Sequence, residues 1–215
     1  SFPVAAPAQV AGAVTLSSDE IFRGETISRG DPAVSLAVSV DSPEGFFAGA
    51  GASIATGDHS PNLSGAVQYA GYATRRDRTS FEIGLIHRRY HALFDRDVRR
   101  DFFEGYAGIS HGSLKARIFV SPDYHRSGRA SYYAEVNARL LSIEKWSLDG
   151  HAGLALTPHD NQSGQLRLRA HHDWRIQASR PLGRLFLSLG LAGTSYPVYS
   201  RSGTARVFAS LSHAF

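Results

Sequence analysis

Charged side chains recur at every second position in several stretches of this chain, most clearly over residues 166 to 179. There Arg167, Arg169, His171, Asp173, Arg175 and Gln177 alternate with Leu166, Leu168, Ala170, His172, Trp174 and Ile176. A two-residue period places the two sets on opposite faces of a strand. Arg117 and Arg139 stand in the same phase on nearby segments. With Arg167, Arg169 and Arg175 they make a candidate basic stripe. Guanidinium forks match carboxylate and phosphate oxygens, and rings of basic side chains favour anions. Glu82, Glu104, Glu135, Asp149 and Asp173 share that phase. If they pair with the arginines, the same residues fill and stabilise a polar interior without selecting a solute. Both readings stay open on sequence.

Other chemistry has thinner support. An acyl-transfer site needs a serine activated by a histidine that a third group orients. His111-Gly-Ser113, in a turn, and His125-Arg-Ser127, in a loop, are compact His/Ser pairs. With ten histidines in the chain such spacings arise by chance. His87 with His91, or His151 with His171, could be drawn as metal ligands, but no carboxylate spacing accompanies them and no cofactor is expected. Cysteine is absent, which removes disulfides and thiolate sites. A net charge of +4 and a pI near 9.6 raise the question of nucleic acid. The basic residues are dispersed over alternating positions rather than gathered in a patch, so no nucleic-acid partner is expected.

Period two governs the elements that must position these groups. Val34, Leu36, Val38 and Val40 alternate with Ser35, Ala37, Ser39 and Asp41, and Phe81, Ile83 and Leu85 with Glu82, Gly84, Ile86 and Arg88. Leu114, Ala116, Ile118 and Val120 oppose Lys115, Arg117, Phe119 and Ser121. The last ten residues carry Val207, Leu211 and Phe215 in one phase, against Arg206, Phe208, Ser210 and Ser212. This reads as a closing strand, because a terminal strand stays ordered when it pairs with the first strand of a barrel. A first strand over residues 10 to 23 would put Val14, Leu16 and Phe22 on one face and Thr15, Ser17, Asp19 and Arg23 on the other. A polar loop follows from Gly24 to Pro32.

Ser18-Asp-Glu-Ile-Phe-Arg-Gly24, Pro32-Ala33, and Gly45-Phe-Phe-Ala-Gly49 with Ser53 resemble the opening of the Gcw_chp family of proteobacterial proteins, whose function is uncharacterised. That family shows Asp-Tyr-x-Phe-Arg-Gly and later Gly-Phe-Tyr-x-Gly-x-Trp-x-Ser. Here Glu20 stands for the Tyr and Gly51 for the Trp. The resemblance is carried mainly by residues 17 to 53. It implies an outer-membrane barrel and transfers no catalytic residue.

No apolar run approaches the length of a transmembrane helix. A mean hydropathy of −0.21 is compatible with a membrane barrel, where only alternate residues face lipid. The expected fold is all-β: one closed antiparallel transmembrane barrel of about twelve strands, each roughly 9 to 12 residues long. Residues 1–9 read as a mature N-terminal segment left by signal-peptide removal, and residues 10–215 as the barrel. Short connections alternate with longer ones. In outer-membrane barrels the short turns are periplasmic, which would place both termini there. Phe46, Phe81, Phe103, Tyr132, Trp146, Trp174 and Tyr196 are candidate interfacial girdle residues.

Such a barrel encloses a cylinder roughly 24 Å across, so its contents decide its use. The sequence points to a narrow outer-membrane channel for small, anionic solutes. The alternatives are an anchoring barrel within a larger complex and a lipid-modifying enzyme. Expected partners are outer-membrane lipid and lipopolysaccharide, the barrel-assembly machinery during insertion, and other outer-membrane proteins.

Overall fold

The structure, a computed structural model, describes residues 8–57, 61–91, 100–122, 124, 129–160, 166–195 and 205–215. Its elements are β1 (Gln9–Ser17), β2 (Ile21–Phe22), β3 (Glu25–Thr26), β4 (Ala33–Asp41), β5 (Phe46–Thr56), β6 (Pro61–Arg76) and β7 (Thr79–Tyr90). They continue with β8 (Arg100–His111), β9 (Leu114–Ser121), β10 (Ser131–Ile143), β11 (Trp146–Asp160), β12 (Leu166–Leu182), β13 (Leu185–Thr194) and β14 (Ala205–Ala214). All but β2 and β3 close into one antiparallel barrel in which each strand pairs with its chain neighbours and β14 returns to β1. Twelve strands therefore form the wall, as the alternation and the connection lengths predict.

The join between β14 and β1 runs from Ala13↔Ala214 to Ser17↔Ser210. Gly12 and Phe215 extend it by exchanging two backbone hydrogen bonds of 2.9 Å. The Phe215 ring lies over Gly12, in the space a side chain there would take. Val207 and Phe215 point outward, with 76% and 67% of their surfaces exposed.

Orientation of the wall follows the sequence pattern. Leu16, Leu36, Ile83, Leu85, Ile118, Val136, Leu168 and Leu189 are exposed on the outside, while Tyr106, Phe119, Tyr133 and Glu104 are buried within. A continuous apolar exterior around a polar interior suits lipid and would be ruinous in water, since aqueous exteriors carry charge. Phe46, Phe81, Phe103, Tyr132 and Trp146 are exposed on this outer surface. Trp174 is half-buried, and Tyr196 lies outside the described residues.

Three local features depart from simple alternation. β1 stops at Ser17 rather than running to residue 23, and Phe22 turns inside to meet Tyr90 at 4.9 Å between ring centroids. Register shifts occur between Ser53 and Ile54, opposite Ser64, and between Arg139 and Leu141. A bulge inserts an unpaired residue, so Leu140 and Leu141 are both exposed to the outside. β6, β11 and β12 are also longer than expected, at 16, 15 and 17 residues.

Candidate functional site

Between β1 and β4 the chain folds into the lumen as a small hairpin of β2 and β3. Ser18 ties the base of the segment to β14 through Ser18 N to the Ala209 carbonyl and Ala209 N to Ser18 Oγ, both 2.9 Å. The buried Asp19 carboxylate then accepts hydrogen bonds from the Thr26 and Ser28 hydroxyls and faces Arg206 at 3.7 Å. Those bonds replace the strand ladder that the chain gives up at Ser18. At the tip Arg23 and Gly24 both have positive φ, +49° and +75°. Two successive residues of that kind make the tight reversal of a two-residue hairpin. Gly24 also lies against the Gly193 carbonyl, where a Cβ could not fit.

The hairpin docks through apolar side chains and one cation. Ile27 is buried in a cluster with Tyr90, Phe102 and Tyr124, against which Phe22 packs. Full burial of a side chain of this size is worth about 1.5–3 kcal/mol. Arg23 Nη2 meets Glu104 Oε1 at 2.7 Å, and its guanidinium sits 3.8 Å from the Tyr133 ring centroid and 4.8 Å from that of Phe22. Glu104 is 1% exposed and takes a second guanidinium, that of Arg88, at 3.2 Å. The Glu104 carboxylate raises the already high Arg23 pKa despite its burial, so the tip stays cationic.

Below the tip the lumen wall carries a row of paired charges. Register aligns Glu82, Gly108, Arg117, Glu135, Gly153 and Asp173 across six strands. Glu82 bonds both Lys115, at 3.1 Å, and Arg117, and Arg117 lies 3.9 Å from Glu135. β8 stands between Glu82 and Arg117. The pair forms across it because Gly108 has no side chain, and a Cβ there would strike both partners. Asp173 accepts from Tyr133 at 3.0 Å and pairs with His151 at 2.9 Å, while His151 Nδ1 meets Asn137 at 2.9 Å. Arg139 and Asp149 pair at 3.1 Å nearer the short-turn rim.

Two cavities follow this wall. One of about 370 Å³ lies beneath Phe22, Arg23 and Gly24 and is lined by Lys115, Arg117, Asn137, His151 and Arg175 among others. The other, about 630 Å³, opens at the short-turn rim beside Gly112, Arg139 and Gln177. A third, of about 220 Å³, separates the hairpin from the small-residue wall of β4, β5 and β6.

The five arginines singled out above are thus spread along the barrel. Arg117 and Arg175 face the chamber, Arg139 faces the mouth, and Arg167 and Arg169 are exposed near the opposite end of β12. Each of Glu82, Glu104, Glu135, Asp149 and Asp173 lies within ion-pair distance of an arginine, lysine or histidine. The central group missing from the sequence reading is the hairpin itself. Its signal is Arg23-Gly24, a dipeptide suited to a tight turn, inside a stretch whose polar residues spoil a continuous strand.

Among the described residues the candidate histidines have these partners. His111 shares a 2.9 Å hydrogen bond with Thr79, not Ser113. His125 and Ser127 lie outside the described residues. His87 faces outward, stacked on Phe103 and paired with Asp101. His151 and His171 sit four register positions apart. Among the described residues no group of three or more His, Asp or Glu could hold a metal ion.

The profile of a family described as a bacterial protein of unknown function, Gcw_chp, matches residues 3–205. The chain belongs to the Gcw_chp family. No curated protein matches its sequence. Among solved structures this Gcw_chp barrel is similar to the KdgM porin, with a TM-score of 0.59 at 9% identity, over 95% of this chain and 99% of that one. It is also similar to the COG4313 outer membrane channel from Pseudomonas putida F1, with a TM-score of 0.53 at 12% identity over 100% and 97% of the chains. The NanC porin gives 0.52 at 10% identity over 96% and 99%. At such identities the likeness concerns the fold, which is that of outer-membrane porins.

The Gcw_chp motif over Asp19 to Gly24 is therefore the lumenal hairpin. Of the positions where this member departs from the family pattern, Glu20 and Gly51 line the same 220 Å³ cavity. There desolvation raises the Glu20 pKa above its ordinary value, bonds from Ser53 and Ser64 oppose the shift, and Asp19 adds to it. A carboxyl whose folded pKa exceeds its unfolded value stabilises the docked hairpin fully below the unfolded pKa, roughly 4.3, and loses that contribution as pH rises through the folded value. Asp19, paired with Arg206, and Tyr90 are the other titratable groups nearby. Amide exchange over Phe22 to Ile27, corrected for its intrinsic rate, is therefore expected to be slower at pH 5 than at pH 7. Glu20→Gln should flatten the difference, and an unchanged pH dependence in that variant would count against the assignment.

Proposed function

We propose that the protein is a narrow channel of the bacterial outer membrane that passes small solutes with a slight preference for anions. Its short turns and both strand ends would lie in the periplasm, with lipid and lipopolysaccharide around the wall, as in other barrels of this architecture. The observation that carries the reading is the continuity of polar cavity beneath the hairpin. The 370 Å³ chamber and the 630 Å³ mouth share Lys115, Asn137 and Arg175 as lining residues. A wall built only as a filled core would have no reason to keep both open.

A second reading, an anchoring barrel within a larger complex, draws on the hairpin. A docked Arg23 with satisfied partners can equally serve a closed scaffold. Planar-bilayer recording separates the two. The channel gives discrete steps whose reversal potential in a salt gradient is shifted toward the anion. Absence of steps at any salt would remove the channel, and a cation-directed reversal potential would remove the anion preference.

A further inference from the structure

The charges around the upper chamber do not balance. Arg23, Arg88, Lys115, Arg117 and Arg175 line it. Glu104 answers Arg23 and Arg88, Glu82 answers Lys115 and Arg117, Glu135 adds to Arg117, and Asp173 is taken by His151. Arg175 has no carboxylate within ion-pair distance and no hydrogen-bond partner among the described residues, although its side chain is half-buried. Its guanidinium lines both cavities with its N–H groups open to a partner, and a bound anion would supply the missing counter-charge.

Its neighbours present donors rather than acceptors. Register places Lys115, Asn137, His151 and Arg175 in one row across β9 to β12. The Asn137 carbonyl is engaged by His151, and one hydrogen of the Asn137 amide is given to Glu135, leaving the other hydrogen to donate. Among the described residues Lys115 spends its contacts on Glu82. Arg175, Asn137 and Lys115, each with N–H groups to spare, are the residues that line both cavities.

We infer that this row is an oxyanion-binding subsite, centred on Arg175, for the carboxylate or phosphate of a small organic solute. A planar fork on Arg175 pairs two oxygens at once, which chloride cannot match. The adjoining chamber, at about 370 Å³, falls within the roughly 300–1,000 Å³ typical of small-ligand pockets. The inference deepens the channel reading, and its test is chosen so that the two can fail separately.

Detergent-solubilised barrel is treated with phenylglyoxal in the presence of chloride, gluconate or inorganic phosphate at matched ionic strength, and modification of Arg175 is read by peptide mass spectrometry. Gluconate or phosphate should slow its modification about tenfold at ten times the dissociation constant, while chloride gives little protection. Stronger protection by one oxyanion identifies whether carboxylate or phosphate is the preferred group. The same anion should block single-channel current in the wild type, lose that block in Arg175→Ala, and keep part of it in Arg175→Lys. Equal modification in all three salts overturns the subsite. Protection in a barrel that shows no conductance supports the subsite and removes only the channel.

Discussion

Replacing Arg23 with alanine is expected to open the barrel. The variant should show larger conductance steps, interrupted by brief closures as the loosened hairpin docks and undocks. Arg23 is the contact that reaches furthest from the base of the hairpin, joining Glu104 of β8 and the ring of Tyr133 on β10. Removing one member of a buried ion pair costs about 3–5 kcal/mol. At 1.4 kcal/mol for each factor of ten, the docked population falls by roughly two to three and a half powers of ten relative to the undocked one. Phe22 and Ile27 would still favour docking, so the hairpin should fluctuate rather than vanish. Arg23→Lys should restore only part of the wild-type behaviour, because an ammonium lacks the fork for Glu104 and stacks poorly on Tyr133. A variant that folds and conducts as the wild type does would show that the hairpin does not set the open cross-section.

Glu104→Gln is the second large effect, and it falls on stability. Glu104 is the one carboxylate shared by Arg23 and Arg88, at 2.7 and 3.2 Å. Neutralising it leaves two buried guanidinium groups facing each other without an intervening charge. The expected loss is about 3–5 kcal/mol, seen as a lower urea midpoint with little change in slope. The double variant Arg23→Gln, Glu104→Gln should recover part of the loss, since it removes one of the stranded cations. If the single variant unfolds at the wild-type midpoint, the lumenal charges contribute nothing that water could not supply.

The wall of the barrel was readable because its signal is local. Val34 to Val40 and Leu166 to Ser179 each declare two faces within one strand, and the apolar face has a single destination once the barrel closes. The hairpin was not readable by the same rule. Phe22 and Arg23 sit in phase with Leu16 and Ser17, and alternation alone extends the strand through both. What turns them inside is pairing at long range: Asp19 with Thr26 and Ser28, Ile27 with Phe102, and Arg23 with a carboxylate 81 positions away. The basic stripe shows the complementary limit. Phase places Arg117, Arg139, Arg167, Arg169 and Arg175 on one face but says nothing of their heights. Those heights, together with the gap opened by Gly108, decide which arginine meets which carboxylate.

The join between β14 and β1 spans five register pairs, fewer than any other neighbouring pair in the wall, whereas β1 with β4 spans nine. A cylinder held by unequal zippers parts first along its shortest one. Under mechanical load this is the line expected to yield first. The Phe215 ring laid over Gly12 acts there as a clasp, holding shut the place where a foreign strand would otherwise find an edge to pair with.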